Sequence, residues 1–432
     1  MSDGASPSCA IGRTSARRLG IIAGVTNEDG RLLALPRAPE AIELRHLRAF
    51  VTVAEELNFG RAAARLYISA PALSRQISSL EGLVGCELLR RSTHRVELTL
   101  AGEVLLERSL RLLRDVDDAI STTQSVGDEL AGRAAQLWVP VADLDSPDAD
   151  FEAIRGAFEA LHAQFSPPPE VSTMPVNAGG VPGLLLSSKP GLSTTLLYLH
   201  GGGYVAGSAF GYRHLAGALA VAAETAALVP DYRLAPEHPF PAAIDDALRA
   251  YLWVLDRGTV AAQLTVIADS AGAGLAMSLL TKLKQEGLPF PGAAVLCCPW
   301  VDLGCTGRQA APAASESVVS LERARAAAQT YLAGHPADDP LASPLTADLS
   351  GFPPMLIQAA SGDDHLVDSH RLHDNARAHG VDVRLELYPT STHGFHYFWS
   401  FLPEAADAVH HAGRFARDIQ SRHVAAPAAA DG

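Results

Sequence analysis

Apolar residues first recur at helical spacing at Leu47, Phe50, Val51, Ala54 and Leu57, the stripe of a helix packed on one face. Asn58 and Phe59 lead into a short Ala-rich helix over Gly60 to Leu66. Ile68 to Pro71 then read as a turn in which Ser69 caps the next helix and Pro71 occupies its first turn. That helix runs from Pro71 to about Val84, with Leu73, Ile77 and Leu80 inward and Ser74, Arg75 and Ser78 outward. Val96 to Leu98 form one strand of a small wing. A longer helix follows from Thr99 to Ile120, with Leu106, Leu110, Leu113, Val116 and Ile120 in one stripe. A helix projecting from so small a domain cannot bury that stripe alone, which predicts a homodimer through this helix.

From Ala134 to Pro147 the helical pattern lapses, so 101–133 read as a linker and dimerisation helix and 134–149 as a linker. Phe151, Ile154, Phe158, Leu161 and Phe165 start a new amphipathic helix, ended by Pro167, Pro168 and Pro169. Short apolar runs then alternate with helical stretches: Thr194 to Leu199, Leu264 to Ala268, Ala293 to Cys298, Met355 to Ala359 and Val383 to Tyr388. This alternation predicts, over 150–423, a mostly parallel sheet with helices on both faces. Ahead of it, 42–100 make a small all-α winged helix-turn-helix domain. Residues 1–41 lack periodicity and are rich in Gly, Ala, Ser and Pro. They read as a disordered extension, or as an overextended start of the reading frame, and 424–432 as a disordered tail. A length of 432 residues agrees with more than one core.

A net charge of −14 argues against nonspecific affinity for nucleic acid, but the average hides a local difference. Between Arg45 and Leu100 there are eight arginines against five glutamates, a balance of +3, and no lysine. Positive charge thus collects on the helix-turn-helix, making double-stranded DNA its expected partner. Five cysteines without metal-ligand spacing point to a reducing compartment, with Cys297 and Cys298 in the core and no metal or cofactor expected. No apolar run reaches the ~20 residues that span a bilayer, and Leu19 to Val25 is too short for a signal peptide. A cytoplasmic protein without a membrane partner is the simplest expectation.

Ser270 follows an apolar strand and precedes the Ala-rich stretch Ala271 to Lys282, so its hydroxyl should stand on a sharp strand-to-helix turn. A serine hydroxyl is a weak nucleophile until an imidazole, itself oriented by a carboxylate, takes its proton. His393 follows the last strand and Asp363 the one before it, giving the order Ser, Asp, His. Gly201, Gly202 and Gly203 after His200 let backbone amides converge on a developing oxyanion. The expected donors are Gly201, Gly202 and Ala271. Asp231, Arg233 and Glu237 are expected to brace a loop, and His365, His370 and His396 to lie at the surface or the pocket rim.

On these residues, Phe151 to His423 resembles the hormone-sensitive-lipase-like branch of the α/β-hydrolases. The matching stretches are His200 to Tyr204, Asp231 to Pro241, Asp269 to Gly272, Pro299 to Leu303 and His393 to Phe395. The resemblance implies a cofactor-free ester or lactone hydrolase, and Gly179 to Pro182 look like the entry of a branch that includes terpene-lactone hydrolases. Two departures are Ala268 and Ala273, where glycine is common. Ungapped alignment to the family pattern favours Asp363 as the acid, 30 residues before His393, with the adjacent Asp364 as the alternative.

Phe50 to Leu100 resembles the amino-terminal domain of LysR-type transcriptional regulators. The resemblance implies that Ser69 to Ser78 enter the major groove, with Ser74, Arg75 and Gln76 contacting bases or phosphates and Arg90, Arg91 and Arg95 the backbone. Ala70 stands where many relatives carry Gln. The effector domain usual in that family is replaced by the hydrolase. The first expectation is therefore a serine ester or lactone hydrolase with a working DNA-binding domain. The alternative is a transcriptional regulator whose hydrolase domain is only an effector sensor, and the remaining reading is a fused relic that reads no operator.

Overall fold

The computed structural model describes residues 42–91, 95–144, 150–308 and 319–424; the expected disorder of 1–41 and of the tail beyond Val424 lies outside them. The chain divides into two compact units, 1–125 and 126–432.

In the first unit, α1 (Leu44–Glu56), α2 (Phe59–Arg65) and α3 (Ala70–Val84) precede a hairpin of β1 (Leu89–Arg91) and β2 (Val96–Leu98). Ser69 caps α3, its hydroxyl accepting from the Ala72 N–H at 3.3 Å, and Gly85 ends it with a φ of +80°. Phe50, Val53, Leu73, Ile77 and Leu80 close the small core. α4 (Leu100–Ala142) begins here with Leu105, Leu106 and Leu113 packed on that core, so Leu106 and Leu113 of the stripe expected to need a partner helix are partly covered by their own domain. Leu100, Val104 and Leu112 on the same helix are 81%, 61% and 52% exposed.

α4 continues for 43 residues, through 134–142, which the sequence pattern assigned to a linker. Pro140, which argues against a helix interior, falls in the last turn and removes only a terminal hydrogen bond. Ala134, Trp138 and Val141 share one helical face and are buried in the second unit's core. Tertiary burial there outweighs local propensity.

The second unit contains α5 (Phe151–His162), β3 (Ser172–Ala178), β4 (Val181–Ser187), β5 (Thr194–Leu199), α6 (Ala209–Ala222), β6 (Ala226–Pro230), α7 (Ala242–Asp256), β7 (Thr265–Asp269), α8 (Ser270–Glu286), β8 (Ala293–Cys297), α9 (Leu321–Leu332), β9 (Met355–Ala360), α10 (Leu366–Ala378), β10 (Val383–Tyr388) and α11 (Pro403–Val424). Its sheet runs β10-β9-β8-β7-β5-β6-β4-β3. β5 to β10 pair in parallel, while β3 and β4 form an antiparallel edge. Leu197, Val266 and Leu296 face one apolar core, and Leu196, Ile267 and Val295 the other. This two-sided burial explains the continuous apolar runs. Among the described residues no helix is long and apolar enough to cross a membrane.

Several imidazoles are sealed in this unit. His162 Nδ1 lies 3.1 Å from His214 Nε2, and His396 Nε2 lies 3.2 Å from Gln358 Oε1. Burial pushes His214, His365 and His396 down to about 3, and His162 well down. The unfolded chain therefore binds protons first, so stability present above about pH 6.5 is lost as pH falls, at about 1.4 kcal/mol per pH unit for each imidazole. Asp269 and Asp368, pushed up by burial to about 6, act in the opposite direction between about pH 6 and 4 but are fewer. Urea midpoints should fall from pH 7 to pH 4; a flat profile would contradict the neutral buried histidines.

Candidate active site

β7 ends at Asp269, and Ser270, with a φ of 50°, opens α8. Such left-handed strain in a non-glycine residue is what a nucleophile elbow imposes. Two residues on, a Cβ at Gly272 would lie 2.2 Å from the Leu199 carbonyl oxygen and 2.4 Å from that of His200. Only glycine lets the elbow approach the end of β5. Ala268 and Ala273 are fully buried and neither has a positive φ, so methyl groups fit at both departures from the family pattern.

Loops after β9 and β10 bring the other two groups to the serine. The Ser270 hydroxyl lies 2.9 Å from His393 Nε2, and His393 Nδ1 lies 2.8 Å from Asp363 Oδ2. Asp363 is buried whereas Asp364 is exposed, so Asp363 is the acid brought to the imidazole. Burial works against its charge, but His393 and His365 beside it hold the carboxyl well below the usual range. This arrangement can relay a proton from the serine to the imidazole while the carboxylate fixes the ring.

The oxyanion expectation needs one correction. The Gly201 N–H donates to Asp269 Oδ1 at 3.0 Å, and that oxygen also accepts from the Tyr198 hydroxyl at 2.6 Å. The Tyr397 hydroxyl donates to Oδ2. Gly201 is thus committed to a buried carboxylate and is not available to an oxyanion. Gly202 and Gly203 line the cavity beside Ser270 and His393. A Cβ on Gly202 would lie 2.1 Å from the Ala206 carbonyl oxygen.

The cavity measures about 110 Å³ and is largely apolar. Trp138 and Val141 of α4, Ile154 and Phe158 of α5, and Ala324 and Ala327 of α9 line it. Sequence reasoning missed Trp138 and Val141 because they fell in the presumed linker; their helical spacing to Ala134 was the available signal. His365 is buried and lines the cavity, as a pocket residue, His396 is buried and not at the surface, and His370 is exposed. The loop braces are as expected: Asp231 accepts from the Ala209 N–H, Arg233 pairs with Asp246 at 2.8 Å, and Glu237 with Arg155 at 2.7 Å. Cys298 approaches Asp363 and His393 closely enough for the three to form a metal-like cluster. Burial pushes its thiol up, and the other two groups already bond each other, so these donors suit proton transfer better than a metal.

In the first unit, Arg75 is exposed on α3, and Ser74 and Gln76 beside it are half-buried. Arg90 is exposed on β1; the side chain of Arg91 lies outside the described residues. Arg95 is 3.7 Å from Glu97. Arg61 and Arg65 pair with Glu56 and Glu55, so the positive charge of α2 is locally balanced.

The sequence profile of the α/β-hydrolase fold matches residues 196–397, and that of the LysR-family bacterial regulatory helix-turn-helix matches 44–103. An acetyl-hydrolase of Streptomyces hygroscopicus is 43% identical over 224 residues, 52% of this chain and 75% of that protein. An esterase of Acinetobacter venetianus is 32% identical, over 62% of this chain and 89% of its own length. The crystal structure of an esterase from the bacterial hormone-sensitive lipase family superposes with a TM-score of 0.64 at 35% identity, covering 68% of this chain and 98% of that one. An HTH-type transcriptional regulator of Escherichia coli K12 is 54% identical over 91 residues, 21% of this chain and only 31% of the regulator. The chain belongs to the hormone-sensitive-lipase-like esterases of the α/β-hydrolase fold, and carries a LysR-type helix-turn-helix domain ahead of the hydrolase.

Proposed function

We propose that the protein hydrolyses small carboxylic esters, open or closed as lactones, by acyl transfer to Ser270. His393 Nε2 takes the serine proton as Oγ attacks the carbonyl carbon, and Asp363 holds the ring and balances the imidazolium. The amides of Gly202, Gly203 and Ala271 receive the oxyanion, each contributing about 3 kcal/mol in comparable sites. His393 then protonates the leaving alcohol, and water, deprotonated by the same imidazole, releases the acid. The observation that carries this reading is the unbroken hydrogen-bond chain from Ser270 through His393 to Asp363. The apolar lining of the cavity suits an acyl group, and the name of the acetyl-hydrolase relative points to a short one. Turnover of p-nitrophenyl acetate that exceeds turnover of a long-chain ester, and organophosphate labelling of the protein, test it.

The first unit is proposed to read DNA as a homodimer in the cytoplasm. Exposed Arg75 on α3 and the exposed Leu100, Val104 and Leu112 on α4 support this. Such a dimer should protect two half-sites about one helical turn apart, or a multiple of that, with affinity falling steeply as salt rises. Arg75→Ala should weaken operator binding by about 1–3 kcal/mol and leave ester turnover unchanged. A protein monomeric by sedimentation, and without sequence preference among random duplexes, would leave the domain a relic.

A further inference from the structure

Arg308 and His365, the latter also lining the cavity, adjoin the acid without a part in the reaction scheme. Arg308 Nη1 is 3.1 Å from His365 Nε2, and Arg308 Nη2 donates to the Val319 carbonyl at 2.9 Å. The His365 backbone N–H donates to Asp363 Oδ1 at 2.9 Å, and its Nδ1 lies 3.5 Å from the same oxygen. Arg308, His365 and Asp363 are all buried. The ring of His365 lies 4.4 Å from that of His393, centroid to centroid.

A guanidinium only donates. Its contact with Nε2 requires that nitrogen to be the bare, accepting one, so the imidazole proton resides on Nδ1, the atom facing Asp363. We infer that Arg308 and His365 are positioning residues for the acid: Arg308 sets the tautomer of His365, and His365 presents an N–H dipole to Asp363 Oδ1 while Oδ2 orients His393. At 3.5 Å the Nδ1–H acts on Oδ1 electrostatically, beside the backbone N–H that makes the hydrogen bond, and its loss would weaken the hold on the carboxylate. The carboxylate could then rotate away from the imidazole it must hold. His365 has to stay neutral, because a second cation one ring away would oppose the imidazolium that forms on His393; burial pushes it down to about 3. Arg308 serves this purpose by supplying a donor to Nε2 without giving up a proton.

The inference rests on Asp363 acting as the acid, but its first test does not depend on turnover. Long-range proton–nitrogen spectra of the histidine-labelled full chain, with the His365 signal identified by its loss in His365→Asn, should show the Nδ1–H tautomer. In Arg308→Met that signal should shift toward the Nε2–H form. An Nε2–H tautomer in the wild type would overturn the inference, whether or not the protein turns over ester. The second test uses side-chain shape. His365→Leu should lower kcat by about 10- to 100-fold, the range for lost supporting partners in other sites, with KM little changed. His365→Asn, which restores an N–H near the Nδ1 position, should recover most of the loss. A folded His365→Leu with wild-type kcat, or a folded His365→Asn as impaired as Leu, would reduce His365 to packing. Persistent labelling of Ser270→Ala would instead remove the underlying reading while leaving the tautomer result intact.

Discussion

Ser270→Ala should lower ester turnover by about six orders of magnitude, the loss found when the nucleophile of a serine triad is removed, and should abolish organophosphate labelling. The Ser270 hydroxyl is the atom within hydrogen-bond reach of the His393 imidazole, and the elbow that presents it is strained at a φ of 50°. Alanine removes the oxygen without adding bulk, so circular dichroism and thermal unfolding should match the wild type. Labelling that persists in this variant would place the nucleophile elsewhere.

Asp363→Asn comes next in size, with an expected loss of about 10⁴-fold in kcat, as when an amide replaces a triad carboxylate and the imidazole is held in the wrong tautomer. The neighbouring Asp364→Asn should stay within a few-fold of wild type, since Asp364 is exposed and Asp363 Oδ2 makes the 2.8 Å contact to His393. Paired measurements of kcat/KM on the two variants separate them. An equal or larger loss from Asp364→Asn would exchange their roles.

The order Ser, Asp, His and the glycines after His200 were legible because nucleophile and oxyanion loops tolerate few residue types. Gly201 misled for a related reason. Sequence gives three glycines in a row but not the buried Asp269 carboxylate that claims the first amide. Of the sheet, the five runs that were read form strands, each near its expected bounds, because burial on both faces leaves a continuous apolar signature. β3 is mostly exposed and carries Pro175 and Asn177, so it escaped. Gly179 and Gly180, both at positive φ, form the two-residue turn that should have announced the β3–β4 hairpin. The tautomer of His365 was illegible, since it depends on Arg308, 57 positions away in sequence.

The course of α4 bears on where the hydrolase domain begins. A hydrolase that began after Val141 would lack Trp138 and Val141, two residues of its cavity wall and core. A hydrolase domain that keeps this wall therefore begins upstream of Trp138, within α4. Homologous single-domain esterases should accordingly begin with a helix equivalent to the second half of α4, and the point at which their similarity to this chain starts marks the seam.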